Sequence, residues 1–167
     1  MKLAAVSSLA AATLLSAGCD GTFTSPPQGA VKVPAPINLL LPRSMRIHEF
    51  TKVRQADPSR GVPAGIDVRI EALDSFGDAC KAFGTFRFEA YAYRPNSADP
   101  KGDRIDTWDV SVAEPRANAI HWDAFSQKYE FHLNWSRPVT GVPPVVLVAV
   151  FQSDFTPRMI DERRLVK

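Results

Sequence analysis

The chain has 167 residues, with 20 Lys or Arg against 18 Asp or Glu, a formal net charge of +2, and 45% hydrophobic side chains. That length and apolar content suit one domain with a substantial core, and so small a net charge excludes the strongly basic footprint of a nucleic-acid binder. Two cysteines, Cys19 and Cys80, are too few for a disulfide framework.

The first element is an N-terminal leader. Met1-Lys2 is followed by residues 3–16, an uncharged run of Leu, Ala, Val, Ser and Thr. Such a run, about 14 residues, is shorter than the ~20 a membrane-spanning helix needs, and small residues follow it. Residues 1–18 therefore read as a cleaved signal peptide. Leu15-Ser16-Ala17-Gly18-Cys19 resembles the lipobox of bacterial lipoproteins, with Ser16 where that family usually has an apolar residue and Leu15 one step further back. The resemblance implies a diacylglycerol on Cys19 before cleavage, and a mature chain held on a membrane facing the periplasm or the cell exterior. An ordinary secretory peptide, leaving Cys19 as a plain thiol, is the alternative. Each buried CH₂ contributes ~0.8 kcal/mol, so the several acyl chains implied by the resemblance would make attachment close to permanent. Asp20, directly after the cysteine, resembles the inner-membrane retention signal of enterobacterial lipoproteins.

Loss of Lys2 with the leader leaves 19 basic against 18 acidic side chains in the mature chain. Lipidation of Cys19 leaves Cys80 without an internal partner, and a small buried hydrophobe is the expected role of such a cysteine. Residues 19–43 carry Pro26, Pro27, Pro34, Pro36 and Pro42. Proline fixes φ and removes amide donors, so the segment reads as an extended, lipidated tether. Ile37-Asn38-Leu39-Leu40-Leu41 interrupts it as an apolar run expected to dock as a first edge strand.

Residues 44–167 form the predicted domain. A segment over 45–53 alternates in part, with an irregularity near Glu49-Phe50. Ile66, Val68, Ile70 and Ala72 alternate with Asp67, Arg69 and Glu71, as a strand with one buried face requires. Gly77 supplies a turn, and 83–93 is the next strand, with Phe86, Phe88, Ala90 and Ala92 on one face. Strands follow over 108–112 and 129–135. Residues 145–151 are an unbroken apolar run that fits a strand buried on both faces. A last strand is predicted over 163–167. No stretch shows helical periodicity. About seven strands separated by turn signals point to an all-β antiparallel β-sandwich. Residues 68–81, an alternating strand followed by Asp74, Gly77 and Lys81, are similar to the strand-turn-strand opening of bacterial immunoglobulin-like domains, which implies an immunoglobulin-like sandwich over a closed barrel.

Catalytic signatures are missing. His48-Glu49 begins like a zinc-protease helix, but Lys52 stands where the second histidine belongs. His121 and His132 fall in other segments, so no metal site is expected. There is no Gly-x-Ser-x-Gly turn and no phosphate-binding glycine loop. In the loop over 95–106, Asp99, Asp103 and Asp106 offer oxygen ligands for calcium, yet Lys101 and Arg104 neutralise them and the composition is that of a turn, the reading preferred here.

On the strand over 83–93, Arg87, Glu89, Tyr91 and Tyr93 point away from the core and form an amphipathic patch suited to a protein or sugar partner. Ordinary cross-strand packing is the competing explanation. Trp108, Trp122 and Trp135 read as core or rim residues. The sequence is thus most consistent with a non-enzymatic, cofactor-free domain contacting another envelope protein. A carbohydrate-binding module for wall or extracellular polysaccharide is the second reading, and an enzyme with dispersed carboxylates the third.

Overall fold

Alternation of apolar and polar side chains decides the central strands. A computed structural model describes residues 31–139 and 144–165. The leader, Cys19 and the tether up to residue 30 lie outside the described residues. In chain order come β1 (Ser44–Ile47), β2 (Lys52–Arg54), β3 (Gly65–Leu73), β4 (Thr85–Tyr93), β5 (Lys101–Ser111), α1 (Pro115–His121), β6 (Trp122–Asp123), β7 (Lys128–Asn134), β8 (Val145–Gln152) and β9 (Met159–Leu165).

One sheet has the order β1-β3-β7-β6, with β2 also paired to β3, and the other has the order β5-β4-β8-β9; all pairings are antiparallel. These strand orders are those of an immunoglobulin-like Greek-key sandwich. Facing side chains of the two sheets form the core: Ile66, Val68, Ile70, Tyr129 and Phe131 on one side, Phe86, Phe88, Leu147 and Phe151 on the other. Phe86 sits 5.1 Å from Phe131 and 5.4 Å from Tyr129, centroid to centroid, which stitches the sheets through aromatic contacts.

Nine strands replace the expected seven for two reasons. The alternating segment over 45–53 is split, since His48 to Thr51 leave the ladder and β1 and β2 pair separately with β3. Thr51 fills the gap with its side chain, accepting from Arg69 N–H at 3.0 Å and donating to the Arg69 carbonyl at 3.3 Å. The other addition, β6, has only two residues, too few for any periodic signal.

Three expectations are corrected. Ile37–Leu40 is a turn of 3-10 helix rather than an edge strand. Prolines 34, 36 and 42 leave few amides for a ladder, and Asn38 and Leu39 bond instead to the carbonyls of Pro34 and Pro36. Residues 31–43 dock along one end of the sandwich: Val31 N–H reaches Asp154 O at 3.0 Å and Ser75 N–H reaches Leu39 O at 3.1 Å. The loop expected over 95–106 ends at residue 100, because β5 begins at Lys101, and β9 begins at Met159 rather than 163.

The unexpected helix, α1, has seven residues with Pro115 in its first turn, a position where proline's missing N–H costs nothing. At two turns it is too short to display a periodic face. Its one buried side chain is Asn118. Cys80 is half-buried rather than fully buried. Gly77 adopts φ 87° in the β3–β4 turn, a left-handed conformation that glycine accepts without steric penalty. No helix among the described residues is long and apolar enough to cross a membrane.

Candidate functional site

The pleat of β4 sends Phe86, Phe88 and Ala90 inward and leaves Arg87, Glu89, Tyr91 and Tyr93 on the outer face of the four-stranded sheet. Cross-strand register then builds rows on that face. Arg87 lies between Asp109 and Val150, Glu89 between Thr107 and Val148, and Tyr91 between Arg104 and Val146. On the far side of β8, Arg164, Glu162 and Ile160 complete the same rows from β9.

The four sequence-predicted residues are held by charge-assisted contacts. Tyr91 donates its hydroxyl to Glu89 at 2.6 Å, and Arg87 donates to the same carboxylate at 3.1 Å. The Tyr91 hydrogen bond, reinforced by Arg87, keeps Glu89 below the usual carboxylate range despite its partial burial. The same hydrogen bond raises the Tyr91 phenol. The Arg164 guanidinium stands 3.8 Å above the ring centroid of Tyr93, a cation–π stack. Lys101 bridges Asp99 at 3.1 Å and Glu162 at 2.9 Å, tying the β4–β5 hairpin to β9. Beneath these long side chains Val146 and Val150 are buried although they sit on the outer face, and Ile160 is exposed. The face is therefore broad and amphipathic, with an apolar floor and a polar cover fixed in place.

Comparison with protein-family models, with curated proteins and with solved structures gives no match. The site thus stands on its own geometry.

Register carried Arg104, Lys101, Ile160, Glu162 and Arg164 onto this face, and sequence reasoning missed all five. Their signal lay in β9, where Ile160, Glu162 and Arg164 alternate with Met159, Asp161 and Arg163. In β5 the signal is hidden by a bulge that shifts the register between Ala90 and Tyr91.

Two of the three aspartates considered for calcium are put to separate uses. Asp99 accepts from Lys101 N–H at 3.0 Å, and Asp106 accepts from Thr107 N–H at 2.9 Å and Ser136 N–H at 2.6 Å. No group of three or more His, Cys, Asp or Glu side chains poised for a metal occurs among the described residues. The histidines are likewise dispersed: His132 contacts Asp67 at 2.8 Å, and His121 contacts the Glu130 carbonyl at 3.1 Å. Trp108, Trp122 and Trp135 pack against the core, and Trp108 donates Nε1–H to Asn134 O at 2.8 Å.

A second concavity, an open cleft of about 840 Å³, lies at the end of the sandwich where residues 31–43 dock. Phe83, Gln152, Phe155 and Arg158 line it. With no carboxylate pair and no histidine among its lining residues, it presents no acid–base constellation.

Proposed function

We propose that this chain is an exported lipoprotein of the cell envelope, anchored through Cys19, whose sandwich binds another envelope protein on the outer face of the four-stranded sheet without catalysing a reaction. The single observation that carries the binding surface is the breadth of that face, with Tyr91 and Tyr93 set among arginines over buried valines. Tyrosine and arginine supply large contact area at low entropic cost, and they dominate binding energy where an apolar floor excludes water. The anchor rests on the uncharged run over 3–16 and on Ala17-Gly18-Cys19.

Polysaccharide draws less support. Stacking against a sugar needs an open ring face, and one face of Tyr93 is already taken by Arg164.

The test is affinity purification of the full-length protein from native membranes, with partners identified by mass spectrometry. One protein partner is expected to recur with the wild type and to fall about tenfold with the Tyr91→Ala/Tyr93→Ala variant. Equal recovery with both proteins, or none with either, would count against the surface. Incorporation of a fatty-acid analogue into the wild type and not into Cys19→Ala tests the anchor separately.

A further inference from the structure

Apolar side chains left in solvent are concentrated at one end of this sandwich. Phe76 in the β3–β4 turn is 67% exposed and Phe125 in the β6–β7 turn 98%, and Phe83 and Phe155, also exposed, line the open cleft. Ile120 projects from α1, and Leu40 from the 3-10 turn that bonds to the Phe76 turn through Leu39 and Ser75. Among the described residues only Phe50 and Ile160 are large, apolar and exposed elsewhere, and the described residues of the loops at the far end of the sandwich include none.

This is also the end at which the N-terminal segment arrives, since Val31 is bonded to Asp154 in the β8–β9 loop. The chain between Cys19 and Val31, fully extended, reaches at most about 40 Å. A lipid on Cys19 therefore keeps this end within about 40 Å of the headgroups, with the far end a strand length further along the chain's path. Charge at the same end is mixed: Lys32, Lys81 and Arg158 are offset by Asp78, Glu114 and Asp154. The phenylalanines stand on fixed turns. Asp123 accepts from Phe125 N–H at 3.0 Å, and Asp74 accepts from Phe76 N–H at 2.8 Å.

We infer that this end is a membrane-docking surface: Phe76, Phe125 and Phe155 enter the interfacial layer of the bilayer, so that the sandwich stands on the membrane with the outer face of its four-stranded sheet turned sideways. Large exposed apolar patches mark association surfaces, and apolar side chains on neutral loops bind an interface through buried area rather than through attraction to anionic lipid. The inference rests on the anchor reading of Cys19 for the reason why this end meets lipid.

The experiment uses full-length protein isolated from membranes and reconstituted in phosphatidylcholine vesicles, with p-benzoylphenylalanine replacing Phe76, Phe125 or Phe155, or replacing Arg60 or Ala98 at the far end. Photocrosslinking to phospholipid is expected to be about tenfold stronger at the three phenylalanine positions and to survive added salt. Equal lipid crosslinking at both ends overturns the inference, as does capture of a second copy or of another protein at positions 76, 125 and 155. Fatty-acid label on Cys19 is read in the same samples. Label without lipid crosslinks overturns the docking surface and leaves the anchor. Crosslinks without label uphold the docking surface and remove the anchor, and loss of both overturns both.

Discussion

Asp161 in β9 accepts the backbone N–H of Ile47 in β1 at 2.6 Å, joining the edge strands of opposite sheets. Arg163, two residues on, returns a hydrogen bond to the Ile47 carbonyl at 3.4 Å. One residue of β1 thus has both outward backbone groups satisfied by side chains that point inward from β9. An open strand edge is a template for pairing with other chains, and inward charged residues are one way of closing it.

Asp161→Ala is accordingly expected to destabilise the domain by about 1–3 kcal/mol, the cost of leaving a buried amide without an acceptor. Asp161→Asn keeps an acceptor and is expected to lose less than half of that. Urea unfolding measures both, and light scattering of the alanine variant is expected to report association through the freed β1 edge. An alanine variant as stable as the wild type would show that Ile47 finds another partner.

Tyr129 anchors the β3–β4 loop from inside the core. Its hydroxyl accepts from Ala82 N–H at 2.8 Å and lies 3.0 Å from Asn118 Oδ1, while Asn118 Nδ2 donates to Ala82 O at 2.7 Å and Val112 O at 2.9 Å. Tyr129→Phe strips two buried groups of their partner and is expected to cost about 2 kcal/mol or more. Because Asn118→Ala breaks the same network, the double variant is expected to lose less than the sum of the singles. Additive losses in denaturant titrations would mean that the two side chains act independently.

The inner faces were legible in the sequence because alternation is a local property: Ile66, Val68 and Ile70 each reveal their direction by their neighbours, as do Tyr129, Phe131 and Leu133. Arg87, Glu89, Tyr91 and Tyr93 shared a face for the same reason. What joined them was not legible. Arg164 reaches Tyr93 only because β8 lies between β4 and β9, and Arg104 reaches the row of Tyr91 only through a bulge. The Asp161–Ile47 contact spans 114 residues, and no periodicity encodes it. The apolar end was invisible for a related reason, since Phe76, Phe125 and Phe155 belong to three turns that only the topology brings together.

Glu71 couples pH to the cohesion of the five-stranded sheet. It receives Arg46 from β1 at 2.7 Å and Lys128 from β7 at 3.2 Å, and its side chain is only 16% exposed. Burial alone would raise its pKa, but the hydrogen bonds and charges of Arg46 and Lys128 together outweigh it and hold the carboxyl below the ordinary glutamate value. With the folded value below the unfolded one, the stabilisation is complete above about pH 4.5 and is lost as pH falls through the folded value. The melting temperature of the wild type is expected to drop on acidification below that point, and that of Glu71→Gln to drop less. Parallel curves for the two proteins would remove Glu71 from the acid transition.

Cys80 is expected to be chemically quiet. Burial first, and then the nearby carboxylate of Asp74, push its thiol up to about 11. The thiolate is the reactive species, so alkylation of the folded Cys19→Ala variant at pH 8 is expected to run on the order of a hundredfold slower than alkylation of the same protein unfolded in denaturant. The folded rate is expected to rise about tenfold per pH unit until it levels off near pH 11. A plateau below pH 9 would show an accessible, activated thiol and would make Cys80 a second candidate for covalent attachment. Lipid label that persists in Cys19→Ala would contradict the proposed anchor.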